Sequence, residues 1–180
     1  MKQALILLTV VTMALGAAVG DKLRVKRAAL AAMEKSFDNR ILKISVENPF
    51  DLLGTTRGMY LDGYGAVFTT EVNLVVTAPL SPFRQSISKE EVARLRLAKL
   101  QRLPLLKLNM RDMLISAAAS LDGVPANEQI VVGVSLFHFY WEDMNGLPSQ
   151  IVMQAERQKL LDFQAARMNG LDTFIRTQEF

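Results

Sequence analysis

The chain is organised around residues 55–77, TTRGMYLDGYGAVFTTEVNLVVT, which contain its strongest β-hairpin signal. Asp62 and Gly63 form a two-residue turn pair, and both tolerate the positive φ that a type I′ turn needs. With that turn, Tyr60 would lie opposite Gly65, where its ring could cover bare backbone. The stretch therefore predicts two antiparallel strands joined by a two-residue turn.

The second strand of this hairpin has two different faces. Its alternation puts mostly apolar side chains on one face and more polar ones on the other. The apolar face consists of Tyr64, Ala66, Phe68, Thr70, Val72, Leu74 and Val76. Because a lone hairpin is only marginally stable in water, this face requires a cover. We therefore expect a larger sheet with helices packed over it.

Composition excludes several kinds of chemistry. The 180 residues are 50% hydrophobic and 22% charged, as expected of one globular domain. There is no cysteine, which excludes disulfides, thiolate catalysis and cysteine metal sites, and a single histidine, His138, excludes a two-histidine metal site within one chain. The net charge of +3 is too small to indicate nucleic-acid binding. We therefore expect no metal, no cofactor and no nucleic-acid partner.

The N-terminus has the pattern of a bacterial signal peptide. Lys2 precedes the apolar run of residues 4–20, and the small residues Ala18 and Gly20 stand just before Asp21. This predicts that residues 1–20 are a signal peptide and that the domain is exported to the periplasm or cell envelope. One alternative is an uncleaved anchor, since 17 residues lie at the lower limit for spanning a bilayer. The other alternative is that the rest of the chain remains on the inner side of the membrane.

Residues 21–54 predict an amphipathic helix followed by a connection, with Pro49 ending the helical pattern. The start of this segment is basic. Its cations are Lys22, Arg24, Lys26 and Arg27. These cations favour an orientation in which the chain after residue 20 stays on the inner side of the membrane, because positively charged segments are disfavoured from crossing it. A solvated helix face is the simpler interpretation, and contact with an anionic membrane surface is the alternative.

The next segment is helical and basic. Ser88 and Glu91 form a capping box at its start, and the helical pattern then runs to about Leu121. Pro104 falls in the middle, so the pattern predicts two helices, 89–102 and 105–120. Lys99 falls among the apolar positions. The basic positions have no aromatic residues between them, which favours a solvated face over a nucleic-acid surface.

The last third predicts a second hairpin. Residues 129–141 form a strand that is apolar on both faces, and residues 149–155 form its antiparallel partner. A helix follows over residues 156–168, and the tail, residues 171–180, is expected to dock loosely or not at all. Residues 55–170 then form an α+β domain. It has an antiparallel sheet of about four strands, with helices mainly on one face in a two-layer sandwich.

Candidate site residues come from the two hairpins. The sequence contains no phosphate loop, nucleophile elbow or zinc-protease motif. His138 is the single histidine of the chain, and the sequence places it in an apolar strand next to acidic residues. The predicted pocket consists of Tyr60, Asp62, Tyr64, His138, Tyr140 and Glu142. No residue is assigned a catalytic role.

Three functions remain open. The first, favoured by the missing catalytic motifs, is a non-catalytic envelope domain that binds a protein partner, itself or the membrane surface, with residues 55–61 or 149–155 as open edge strands. The second is a metal-free hydrolase that uses His138 and carboxylates. The third is a carrier of a small ligand or lipid. Its cavity would be lined by Tyr60, Tyr64, Phe137, Phe139, Tyr140 and Trp141.

Overall fold

A computed structural model describes residues 25–44, 49–77, 86–165, 170 and 173–180. This part of the chain contains three helices and six strands, which confirms the α+β class. In order they are α1 (Arg27–Leu42), β1 (Asp51–Leu52), β2 (Arg57–Leu61), β3 (Gly65–Asn73), α2 (Lys89–Ser120), β4 (Gln129–Leu136), β5 (Gln150–Glu156), α3 (Arg157–Gln164) and β6 (Arg176–Glu179). The predicted signal peptide, Lys22 and Arg24 lie outside the described residues.

The six strands form one mixed sheet. β1 and β2 both pair with the same edge of β3, and the order continues through β4 and β5 to β6. β3 and β4 are parallel, whereas every other pair is antiparallel. The prediction of an antiparallel sheet of about four strands is therefore wrong. A parallel pair needs a long crossover, and α2 provides it between β3 and β4.

The hairpin loop contains three residues, not two. Leu61 pairs with Gly65, so the loop consists of Asp62, Gly63 and Tyr64. The Tyr64 N–H donates to the Leu61 carbonyl at 3.0 Å, and Gly63 has a φ of 76°. The predicted register is wrong by one residue, which moves each side chain of β2 to the other face.

One consequence of this register is that glycine is required at position 58. Gly58 pairs with Phe68, and a Cβ added there would lie 2.6 Å from the Phe68 ring. Tyr60 lies opposite Ala66 and packs against the core. The bare backbone of Gly58 thus leaves space for the Phe68 ring, which is fully buried.

The core lies between the sheet and the three helices. The predicted apolar face is confirmed within β3, where Ala66, Phe68 and Val72 are fully buried, but its two outermost members, Tyr64 and Val76, are exposed. Buried residues of all three helices contribute to one core, although Leu95 and Lys99 of α2 lie outside it. At its centre the rings of Phe37 and Phe68 meet edge to face, with centroids 4.9 Å apart. The helices therefore cover one face of the sheet, in two layers.

α2 is one continuous helix of 32 residues that contains Pro104. The prediction of two helices is wrong, and the reason is the position of the proline. Pro104 is exposed, so its ring displaces no core side chain. On this exposed side of α2, water can donate the hydrogen bond that the Pro104 nitrogen cannot. The predicted cap is confirmed, because Ser88 Oγ accepts from the Glu91 N–H at 3.1 Å.

The two strands predicted as open edges both have neighbours. The Thr56 N–H donates to Asp38 Oδ1 on α1 at 2.8 Å, and side chains of α1 also bind Gly58. β5 lies between β4 and β6. The tail residues 176–179 therefore form part of the sheet, which corrects the expectation of a loose tail. No helix in the described ranges has the length and hydrophobicity needed to cross a membrane.

Candidate functional site

The six predicted pocket residues lie in two groups at opposite ends of the parallel strands. Gly65 lies beside Gln129 at one end, and Val72 lies beside Leu136 at the other. Seven residue steps separate the ends, which is about 23 Å at ~3.3 Å per residue. The first group is Tyr60, Asp62 and Tyr64, and the second is His138, Tyr140 and Glu142. The structure therefore does not bring the six side chains into one pocket.

The first group hydrogen-bonds to neighbouring strands and loops. The Tyr60 hydroxyl lies 3.2 Å from Glu128 Oε1 and 3.4 Å from Asp62 Oδ1, and its single proton goes to one of them at a time. The Tyr64 hydroxyl donates to Gln154 Oε1 at 3.5 Å. Glu128 is 5% exposed, and sequence reasoning did not single it out. These contacts tie the hairpin loop to the start of β4 and to β5.

In the second group, Glu142 forms a buried ion pair. Its Oε2 pairs with Lys99 Nζ, and both side chains are 2% exposed. Lys99 also donates to the Phe137 carbonyl at 3.1 Å, and Glu142 Oε1 accepts from the Phe139 N–H at 3.2 Å. In the sequence, the position of Lys99 among apolar residues was the signal that could have indicated a buried ion pair. The pair fixes the loop after β4 to the side of α2.

His138 and Tyr140 do not take part in this pair. His138 is exposed, and its Nδ1 lies 3.5 Å from the Leu136 carbonyl oxygen. Tyr140 is 88% exposed. Within the described residues, no contact joins His138 to a carboxylate. The arrangement that a histidine hydrolase would need is thus not assembled in this part of the chain.

The loop after β4 instead presents a ladder of aromatic rings. Phe137 meets Phe139 edge to face with centroids 5.0 Å apart, and Phe139 stacks on Trp141 at 5.4 Å with an interplanar angle of 8°. The outer ring of this ladder, Trp141, borders a cleft of about 350 Å³. The cleft lies between the chain that follows β3, the first turns of α2, and this loop. We call it the Trp141 cleft.

The Trp141 cleft combines apolar walls with a few polar groups. Its lining residues are Val75, Val76, Thr77, Glu91, Arg94, Leu95, Ala98 and Trp141. Thr77 Oγ1 is buried and has no hydrogen-bond partner among the described residues. Arg94 is exposed and forms no ion pair with the described part of the chain. The cleft lies beyond the carboxyl ends of β3 and β4, where open α/β sheets place their ligands.

Sequence reasoning did not assemble this cleft. Trp141 was one ring of the carrier hypothesis and the last residue of the strand predicted over residues 129–141, but β4 ends at Leu136. Arg94 belongs to the basic positions that were interpreted as a solvated helix face. The lining residues come from three segments that meet because α2 crosses from β3 to β4. Residues 78–85, which join two of these segments, lie outside the described residues. No local spacing could therefore have indicated the site.

No group of three or more histidine, cysteine or acidic side chains in the described ranges could hold a metal ion. The candidate site therefore rests on the Trp141 cleft, its apolar walls, and Thr77 and Arg94, whose polar groups have no partners in the described part of the chain. No protein-family model matches the sequence, and no curated protein and no solved structure is significantly similar to the chain.

Proposed function

We propose that this chain is a non-catalytic binding domain and that its ligand occupies the Trp141 cleft. The make-up of the cleft carries this proposal. Apolar side chains from three segments surround about 350 Å³, and a small number of polar groups lie among them. Small-molecule sites are of this size and have this balance, with the polar groups orienting the ligand.

The buried ion pair supports the proposal because it fixes one wall of the cleft. Lys99 and Glu142 anchor the loop that bears Phe139 and Trp141. A binding wall that is already ordered loses less conformational entropy when a ligand arrives. The pair therefore acts as a support for the binding surface, although it does not line the cleft itself.

Binding is favoured over hydrolysis by the lining residues. Hydrolysis with paired carboxylates needs two acidic groups on either side of the reacting bond. Among the described lining residues, Glu91 is the one carboxylate. Glu142 is occupied by Lys99, and His138 does not line the cleft. These observations support a ligand that is held and released unchanged.

Export remains part of the proposal. It rests on the sequence of residues 1–20 alone. The Trp141 cleft is built from later residues, so the binding function does not depend on which compartment contains the protein.

Fluorescence offers a direct test, because Trp141 is the single tryptophan of the chain. The purified protein would be titrated with 1-anilinonaphthalene-8-sulfonate and with straight-chain alkyl compounds while Trp141 emission is followed. We expect a saturable change. Ala98→Leu should fill the cleft and weaken binding about tenfold or more, a loss of roughly 1.4 kcal/mol.

The matched control is Ala93→Leu, because Ala93 is exposed on the same helix and does not line the cleft. This variant should bind as the wild type does. The proposal is wrong if no compound gives a saturable change, or if Ala98→Leu and wild type bind equally well.

A further inference from the structure

We infer that the Trp141 cleft binds a small amphipathic acid, with its anionic group at Arg94 and Thr77 and its hydrocarbon part on the apolar wall. This inference rests on the binding function proposed above and adds the chemical class of the ligand. The argument depends on the partners of Arg94, on the Thr77 hydroxyl and on the shape of the apolar wall.

Arg94 is the arginine of α2 that has no partner among the described residues. Arg96 pairs with Asp143 at 3.4 Å, and the Arg102 guanidinium lies 4.3 Å from the centroid of the Phe50 ring. Arg111 also has an interaction within the chain. Arg94 therefore lines the cleft with guanidinium donors that no described residue uses, and a guanidinium matches the geometry of a carboxylate.

Thr77, in the chain that follows β3, supplies a second polar group to the lining of the cleft. Its hydroxyl oxygen is buried without a hydrogen-bond partner among the described residues. A buried hydroxyl that forms no hydrogen bond costs free energy, so a ligand oxygen that bonds to it would recover that cost. A hydroxyl can donate to an anionic oxygen.

Glu91 does not reverse the preference for an anion. It also lines the cleft, but it already has an interaction within the chain. Arg94 is more exposed than Glu91 and has no partner among the described residues, so it is the charged lining group with unused hydrogen-bonding capacity in this part of the chain. An anionic group is therefore favoured over an ammonium group at this position.

The apolar wall of the cleft indicates the chemistry of the ligand beyond its anionic group. Leu95 and Ala98 on α2, together with Val75 and the ring of Trp141, offer a surface without hydrogen-bonding side-chain groups other than the indole N–H. Hydrocarbon is what such a surface stabilises, in proportion to the area removed from water. The combination of one cationic end and one apolar wall matches a molecule with a carboxylate head and an alkyl or aryl body.

The test compares three probes with the same alkyl chain: decanoate, 1-decanol and decylammonium. Binding to the full protein would be followed by Trp141 emission. We expect decanoate to bind most tightly. Arg94→Gln should weaken decanoate about tenfold and leave decanol unchanged, because only the anion loses a charge-assisted hydrogen bond. Thr77→Val, which keeps the side-chain shape, should also weaken decanoate selectively.

The matched control is Arg57→Gln, since Arg57 is exposed on β2 and does not line the cleft. It should leave all three affinities unchanged. If the three probes bind equally, if decylammonium binds best, or if Arg94→Gln affects decanol as much as decanoate, the inference about the acid is overturned and the binding function stands. If none of the probes binds, both are overturned.

Discussion

Arg27 and Glu34 form an ion pair at 2.8 Å, and together they bind both backbone groups of Gly58. Arg27 Nη1 donates to the Gly58 carbonyl at 2.9 Å, and Glu34 Oε1 accepts from the Gly58 N–H at 2.7 Å. A free strand edge with unpaired backbone groups is a site for unwanted pairing. Two side chains of α1 thus form hydrogen bonds with the backbone of β2 that a further strand would otherwise form.

Removal of Glu34 should destabilise the protein. Glu34→Ala leaves the Gly58 N–H without an acceptor and Arg27 without its carboxylate partner, so we expect a loss of about 1–3 kcal/mol in the free energy of unfolding. Urea unfolding measures it. Lys35→Ala is the matched control, because Lys35 is exposed on the same helix, and it should change stability by less than about 0.5 kcal/mol. Equal losses in the two variants would contradict the role given to Glu34.

The same carboxylate predicts a dependence of stability on pH. Burial alone would raise the pKa of Glu34, but the Gly58 N–H and the Arg27 charge together hold the pKa below its ordinary value of 4.5. A lowered pKa in the folded state gives stability that is fully present above pH 4.5 and is lost as the pH falls through the folded pKa. Wild type should exceed Glu34→Gln in unfolding free energy at neutral pH, and the difference should shrink in acid. A difference that stays constant across this range would argue against the assignment.

The buried pair of Lys99 and Glu142 predicts a non-additive double mutant. Glu142→Met alone leaves a buried ammonium group without its carboxylate, which should cost about 3–5 kcal/mol. Lys99→Met in the same protein removes that unpaired charge, so the double variant should be more stable than Glu142→Met alone. Urea unfolding of the two singles and the double completes the cycle. Losses that simply add would show that the two groups act independently.

Some local patterns in the sequence predicted local structure correctly, whereas the turn pair Asp62-Gly63 and the proline at Pro104 did not. The alternation of Ala66, Phe68 and Val72 identified the core face of β3, and Ser88 identified the start of α2. Each of these signals depends on side chains within a few residues of one another. Such signals are present in the chain whatever its tertiary fold.

Features that depend on distant contacts were not predicted. One extra residue in the hairpin loop moves Tyr60 from opposite Gly65 to opposite Ala66, and this shift of one residue changes the face on which each side chain of β2 lies. The parallel pairing of β3 with β4 depends on where α2 packs, and β1 and β6 have two and four residues, too few for a pattern. The Trp141 cleft was missed for the same reason.

Export can be tested on the full-length chain expressed in a bacterium. If residues 1–20 are a signal peptide, the soluble product should have lost about 16–20 residues by intact mass, the range that the small-residue rule allows. It should be recovered from the periplasmic fraction. Substitution of Ala18 and Gly20 by larger residues should move or block cleavage. A full-length product in the membrane fraction would support the anchor instead.

Two glycines provide a final test of the sheet. A Cβ on Gly58 would lie 2.6 Å from Phe68 Cε1, so Gly58→Ala must displace a buried ring that packs against Phe37. Such overpacking costs about 1–3 kcal/mol.

A Cβ on Gly133 would lie 3.7 Å from Thr69 Cγ2, an ordinary contact, so Gly133→Ala should be neutral or stabilising by up to about 1 kcal/mol. Thermal unfolding of both variants should therefore shift the midpoint in different directions or by clearly different amounts. A similar loss in both would mean that the contact between Gly58 and Phe68 does not decide the outcome, and the three-residue loop that creates this contact would be in doubt.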